Sequence, residues 1–367
     1  MMNIIDTDGA NSIMKLAIVG GGNLGTLMAA EFAAKGHEVS VFTKMAAAWK
    51  RSIEIYDRQD EFISVGDIAS TTDSLSEAVS GASIIFVTLP AFTFPDLAEK
   101  LAGVVKKGQA VCIIPGTGGA EFAFAPLIEK GCILLGFQRV HSIARIKDHG
   151  RSVYALGKKE RLFIGSIPSV KAEDYAPIME ALFDIPTTAV PNYLNVTLTP
   201  SNPILHTARL CAMFRDTEKD TAYPKNPLFY EEWDDASSEL LLKCDTELHK
   251  MVRAIPLDLR YVESLAEIYE GETPPEVTKT IRETEYFKGL GSPMKRDGDD
   301  WYIDWESRYF TADFPYGLKI LIDIAGLFDV PVPDLTETWE WYLGYAPDTP
   351  RFEMKLDREE LLELYRI

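Results

Sequence analysis

The stretch KLAIVGGGNLGTLMAAEFAAKGHEVSVFTKM, residues 15–45, decides the fold. Lys15–Val19 is a compact apolar run, the composition of a strand buried on both faces. Residues 23–35 are rich in Ala and Leu with helical spacing, and residues 38–43 (EVSVFT) are β-branched and aromatic, which suits a second strand. Between strand and helix stands Gly20-Gly21-Gly22-Asn23-Leu24-Gly25, a G-x-G-x-x-G sequence. Alone that pattern is a weak signal. Directly after a strand and opening a helix it is the turn that holds a dinucleotide. Gly20 allows the tight bend, Gly22 lets the backbone approach a pyrophosphate, and Gly25 permits close helix–sheet packing. The amides of Asn23, Leu24 and Gly25, at the positive end of the helix, then face the phosphate charge. The competing reading is a glycine-rich turn without a ligand, and the strand–loop–helix–strand spacing argues against it.

Working outward, the apolar runs at 84–89 (IIFVTL), 110–115 (AVCIIP) and 133–137 (ILLGF) repeat the alternation of strand and helix. That predicts an α/β, doubly wound parallel sheet of Rossmann type. Residues 151–168 read as an appended hairpin turning at 157–159. After Pro200 strand signals become few, and helices are expected over 234–253, 258–269, 316–328 and 358–365. Charge changes with the pattern: residues 1–190 carry 21 acidic and 18 basic side chains, net −3, whereas residues 191–367 carry 35 and 19, net −16. The step predicts a flexible leader over 1–14, a dinucleotide-binding domain over 15–195 and a mainly α-helical domain over 196–367. The acidic half is read as a solvated helical surface.

A net charge of −19 disfavours a phosphate-backbone partner. With 46% hydrophobic and 25% charged residues, and no apolar run near the length of a membrane span, a soluble globular protein is expected. The first dozen residues lack the basic and apolar regions of a signal peptide. Cys112, Cys132, Cys211 and Cys244 are scattered with no CxxC pair, which argues against a zinc site and fits a reducing cytoplasm.

An acid at the end of the second strand would receive the ribose hydroxyls of NAD. Thr43, Lys44 and Met45 stand there instead, and a lysine beside a hydroxyl suits a 2′-phosphate, so NADP is favoured over NAD. Leu89 and Pro90, ending the 84–89 strand, are expected to line the nicotinamide site, with core packing as the plain alternative. Of five histidines, His37 sits in a turn, His141 and His149 flank the 151–168 stretch, and His249 falls in an acidic helix. His206 lies in Asn202-Pro203-Ile204-Leu205-His206-Thr207, where the two domains should meet.

The segments NPILHT (202–207), FYEEW (229–233), CDTEL (244–248) and SRYFTADFPYGL (307–318), with GGGNLG and PGTGGAEF (115–122), occur in the order seen in the octopine/nopaline dehydrogenases, the opine dehydrogenases. The chain resembles that family from Lys15 to about Pro333. N-P-x-x-H and R-Y-x-x-x-D-x-P-Y-G-L are the specific parts. The resemblance implies reductive condensation of an amino acid with a 2-oxo acid such as pyruvate, using NADH or NADPH, and a helical domain like the 6-phosphogluconate dehydrogenase C-terminal one. It implies His206 as catalytic acid/base with Asp313 as its carboxylate partner, and Arg308, Asn202 and Thr117 as substrate-binding residues. A histidine titrating near neutrality suits that role, and a paired carboxylate would set its tautomer. Asp313 also reads as a helix N-cap, and Arg308 as a surface ion-pair member. Animal octopine dehydrogenases carry a longer polar side chain where Thr117 stands, which leaves the oxo acid open. Small molecules are the expected partners, with the chain a monomer or homodimer. Two other readings stand: a 2-oxo acid reductase of the ketopantoate-reductase or glycerol-3-phosphate-dehydrogenase kind, which would use a lysine, and a non-catalytic NADP-binding sensor.

Overall fold

Strands that read as unbroken apolar runs become the interior of one sheet. The computed structural model describes residues 13–366, so the leader expected over 1–14 lies, except for Ile13 and Met14, outside the described residues. In chain order the strands of the first half are β1 (Lys15–Val19), β2 (Glu38–Phe42), β3 (Ser52–Tyr56), β4 (Phe62–Asp67), β5 (Ser70–Thr72), β6 (Ile84–Val87), β7 (Ala110–Ile113), β8 (Ile133–Phe137), β9 (Ser142–Asp148), β10 (Ser152–Lys158), β11 (Leu162–Ile167) and β12 (Thr187–Ala189). Eight of them form a sheet in the order β12-β11-β8-β7-β6-β1-β2-β5. Its central strands are parallel, and β11 runs antiparallel to β8. From β1 the chain moves first to β2 on one side and later to β6 on the other. That reversal puts the ligand-binding crevice of such sheets at the carboxyl ends of β1 and β6. This is a Rossmann-like domain, and a helical domain follows it.

The structure corrects the hairpin expected over 151–168. β10 pairs with β9, antiparallel, and with β3 in a second sheet ordered β4-β3-β10-β9, whereas β11 crosses to β8 in the main sheet. The actual turn is Asp148–Arg151, closed by the Arg151 amide on the Asp148 carbonyl at 3.0 Å, with Gly150 at φ +66. β11 (LFIGSI) is nearly all buried and belongs inside a sheet, while β9 and β10 expose their distal ends. The second sheet packs on helix α1 (Asn23–Ala34). A Cβ on Gly66 of β4 would stand 2.1 Å from the Ala30 carbonyl oxygen, so only glycine lets that strand lie against α1.

The chain divides into two compact units, one ending at Thr197 to which the residues from Glu363 return, the other running from Leu198 to Leu362. In the first unit Glu121, fully buried, accepts from the hydroxyls of Thr197 and Tyr365, the latter at 2.6 Å. Burial pushes its carboxyl up to about 7, against the lowering effect of those two donors. Glu121 thus binds the two segments at which the chain leaves and re-enters this unit.

The second unit is built on α2 (Ser201–Phe214), α3 (Asp235–Ala254), α4 (Pro274–Glu283), α5 (Lys319–Leu327) and α6 (Pro333–Tyr345). Asp234 caps α3 through the Ser237 amide at 2.8 Å. Two expected helices are shorter. Of 258–269 only Leu265–Ile268 is helical, because the buried Asp245 carboxylate accepts from Ser264 Oγ (2.6 Å) and the Leu265 amide (3.0 Å) and sets the start there. Of 316–328, Phe314–Leu318 forms a π-helical turn and the α-helix begins at Lys319. A Cβ on Gly317 would come 3.1 Å from the Pro203 ring, so this turn presses closely on the first turn of α2. Such single π turns often mark functional sites.

Candidate active site

Each unit carries one cluster of the residues singled out by sequence. In the first unit the glycine loop leaves β1 with Gly20 at φ +127, a region an L side chain avoids. A Cβ there would meet Thr88 Oγ1 at 2.6 Å and Leu89 Cδ2 at 3.2 Å, so the loop touches the end of β6. Gly21 abuts Thr43 in the same way, at 2.7 Å from Oγ1, which places the end of β2 beside the loop. Gly25 lies against the Gly20 carbonyl, 1.8 Å from a would-be Cβ, while Gly22 has open space around it. No side chain caps α1, so its first amides remain available to an anion. These observations fit a dinucleotide pyrophosphate held by Gly20, Gly22, Asn23, Leu24 and Gly25. The side-chain oxygen of Asn23 accepts from the Ile146 amide at 2.8 Å, which fixes that side chain to β9 of the second sheet. Leu24 packs partly on the core. Lys44 is exposed, Thr43 is buried and accepts from the Met45 amide at 3.3 Å, and Leu89 and Pro90 are half-buried. Thr117 is half-buried beside Gly118 and Gly119, both at positive φ.

In the second unit α2 presents His206, and the segment before the π turn presents Asp313. His206 Nδ1 and Asp313 Oδ2 are 2.7 Å apart, with 11% and 15% of their side chains exposed. The expected N-cap role of Asp313 is not found: its side chain caps nothing and turns to the histidine instead. Nε2 of His206 lies 2.9 Å from the Tyr230 hydroxyl. The Tyr309 ring covers one imidazole face at 4.6 Å, and Phe229 meets the ring edge-on at 5.6 Å. An imidazole held this way can take up and release one proton at Nε2 while the carboxylate keeps Nδ1 protonated.

Arg209, one turn after His206 and itself buried, fastens the loop that carries Tyr230. Its guanidinium donates to the Phe229 carbonyl (3.2 Å), the Glu232 carbonyl (2.6 Å) and Ser237 Oγ (2.9 Å) and pairs with Asp234 at 3.2 Å. Sequence reading missed Tyr230, Tyr309 and Arg209. The signals were present in FYEEW, in the tyrosine after Arg308 and in the arginine three residues past His206, but each also reads as core or surface. Arg308 and Asn202 are exposed, and Arg308 makes no ion pair among the described residues. Asn202 Oδ1 accepts from Ser201 Oγ at 3.3 Å. Two of the other four histidines have structural partners: His37 accepts from the Met14 amide and His141 pairs with Glu31 at 2.8 Å. Among the described residues no group of His, Cys, Asp and Glu could hold a metal ion, and no helix is long and apolar enough to cross a membrane.

Comparison with known proteins adds to this geometry. The family described as NAD/NADP octopine/nopaline dehydrogenase, alpha-helical domain, matches residues 189–345. That described as NAD-dependent glycerol-3-phosphate dehydrogenase N-terminus matches residues 15–125. The chain is 27% identical over 359 residues to a tauropine dehydrogenase of Arabella iricolor, covering 89% of this chain and 90% of that one. It is likewise 27% identical over 360 residues to an opine dehydrogenase of Haliotis discus hannai, covering 88% of each. A solved structure of octopine dehydrogenase with NADH and L-arginine shares the fold at TM-score 0.79, with 24% identity and coverage of 91% of this chain and 90% of that one.

Proposed function

Because the chain belongs to the octopine/nopaline dehydrogenase family, we propose that it reductively condenses an amino acid with a 2-oxo acid such as pyruvate at the expense of NAD(P)H. The amine, the oxo acid, NAD(P)H and a proton give a secondary amine, NAD(P)+ and water. The observation that carries this reading is the 2.7 Å contact between His206 and Asp313, made across 107 residues by the family's two most specific motifs. When bound on the glycine loop, the nicotinamide dinucleotide supplies the hydride that reduces the imine. His206 takes and returns the proton at Nε2 as the carbonyl oxygen leaves as water. Asp313 holds the Nδ1 proton and stabilises the imidazolium. The experiment is NADPH oxidation with pyruvate, with and without an amino-acid panel. Oxidation that requires the amino acid supports condensation, and oxidation by pyruvate alone points to a 2-oxo acid reductase.

NADPH is the preferred cofactor in this reading. Its support is the lack of a carboxylate at Thr43–Met45 and the exposed Lys44 next to Thr43, which abuts the loop. Replacing Lys44 with Ala is expected to weaken NADPH more than NADH by about 1–3 kcal/mol, the worth of a charge-assisted hydrogen bond. Titration of both cofactors by fluorescence checks this, and equal affinities in the unmodified protein would remove it. Free, buried cysteines at all four positions support a reducing, cytoplasmic location.

The exposed, unpaired guanidinium of Arg308 is assigned to a substrate carboxylate, which such a fork grips through two parallel hydrogen bonds. Arg308→Ala is expected to raise the substrate KM by roughly 10-fold or more with kcat little changed, because the grip is equal in ground and transition states. Steady-state kinetics that show the loss in kcat alone would contradict this role. Asn202 and Thr117 are assigned to the same substrate, on motif position alone.

A further inference from the structure

His206 offers a substrate no free ring nitrogen. Asp313 takes Nδ1 at 2.7 Å and the Tyr230 hydroxyl takes Nε2 at 2.9 Å, while Tyr309 and Phe229 flank the ring. Any proton that reaches or leaves Nε2 therefore has the Tyr230 oxygen as its next stop. That tyrosine is in no position to swing aside. Its ring stacks on Phe287 at 3.8 Å and 6°, lies parallel to Trp233 at 6.3 Å, and is 4% exposed. Its backbone is bracketed by Arg209, which binds the carbonyls of Phe229 and Glu232. Among the described residues the hydroxyl has no hydrogen-bond partner besides His206, so its remaining valence is open.

We propose that Tyr230 is the residue that hands the proton to the substrate oxygen, with His206 replenishing it from behind. This rests on the reading of His206 as the proton carrier. In the resting site the Tyr230 O–H donates to the neutral Nε2. Once His206 is protonated the bond reverses: Nε2–H donates to the Tyr230 oxygen and the phenolic O–H turns outward. The step then breaks three bonds and forms three. The Tyr230 O–H proton moves to the carbinolamine oxygen, and the Nε2–H proton replaces it on the phenol. The C–O bond breaks with its electron pair leaving as water, and the nitrogen lone pair forms the C=N bond. One proton has passed from imidazolium to water, and no electron has been gained or lost.

The phenol is suited to a relay and unsuited to holding a charge. Burial raises it well above the ordinary tyrosine range, and the groups facing it, the hydroxyls of Tyr309, Tyr269 and Tyr286 and the Asp313 carboxylate, raise it further. A free phenolate is therefore costly, and the two proton movements are coupled.

Tyr230→Phe tests the relay, since it keeps the aromatic stack and removes only the hydroxyl. The expected result is a turnover loss of roughly 10²-fold or more with cofactor affinity unchanged. In the unmodified enzyme the rate should fall along a bowed curve as the deuterium content of the solvent rises, as two moving protons require. In Tyr230→Phe that curve should straighten. The His206 ring signal followed by NMR reports that the variant site is folded. Turnover within a few-fold of the unmodified enzyme in Tyr230→Phe, or a straight isotope curve in the unmodified enzyme, overturns the relay. His206→Ala run alongside separates the two ideas: an inactive His206→Ala with an active Tyr230→Phe sinks the relay alone, whereas an active His206→Ala sinks the reading of the site on which it rests.

Discussion

Replacing His206 with Ala is expected to cut turnover by roughly 10²–10⁴-fold, the usual worth of a positioned acid/base group. NADPH affinity should stay unchanged, because Gly20, Gly22, Gly25 and the start of α1 lie in the other unit. Asp313→Asn keeps the shape of the 2.7 Å contact but removes the charge that supports the imidazolium, so a large loss is expected there too. The double variant should be scarcely worse than His206→Ala, since the aspartate acts through the histidine and groups that work as a unit are not additive. Initial rates with an amino-acid and oxo-acid pair, beside a fluorescence titration of the cofactor, measure all of this. Near-normal turnover in His206→Ala would show that the site is wrongly assigned even though the fold is right.

The second large effect is one of stability and pH. Glu121 is buried among Thr197, Tyr365 and Tyr193, with one carboxyl oxygen lacking a partner, and burial raises it from 4.5 to about 7. Below pH 4.5 the folded and unfolded chains both hold this proton. As pH rises from 4.5 to 7 the unfolded chain releases it and the folded one does not, so stability falls with rising pH through that window, by about 3 kcal/mol in total. Glu121→Gln cannot titrate, and its carbonyl oxygen still accepts from Thr197 and Tyr365. The difference in unfolding free energy between the two proteins should therefore shift by about 3 kcal/mol in favour of the glutamine between pH 4.5 and pH 8. Urea unfolding across that range provides the measurement. Parallel curves for the two proteins would mean that the carboxyl titrates normally in the folded state.

The β1–loop–α1–β2 unit was legible because strands buried on both faces leave unbroken apolar runs, and because only glycine tolerates the contacts at Gly20 and Gly25. The second sheet was not. β3 alternates buried Ile53 and Ile55 with exposed Ser52 and Glu54 over five residues, too short a pattern to separate from a loop. The true hairpin hid behind a second glycine, Gly157, that looked like a turn and lies within β10. Asp313 was reached through a family motif, since no spacing rule joins residues 107 apart. Tyr230 lies within FYEEW, and nothing local distinguishes a tyrosine that bonds a histidine from one that fills a core.

The most direct test of the account is the mass of the product formed from NADPH, pyruvate and an amino acid that supports turnover. Condensation predicts one secondary amine whose mass is that of the two substrates joined, less one water and plus two hydrogens. The hydrogen delivered from deuterated NADPH should appear on the carbon that was the pyruvate carbonyl. Lactate as the labelled product, with the amino acid recovered unchanged, would contradict the account.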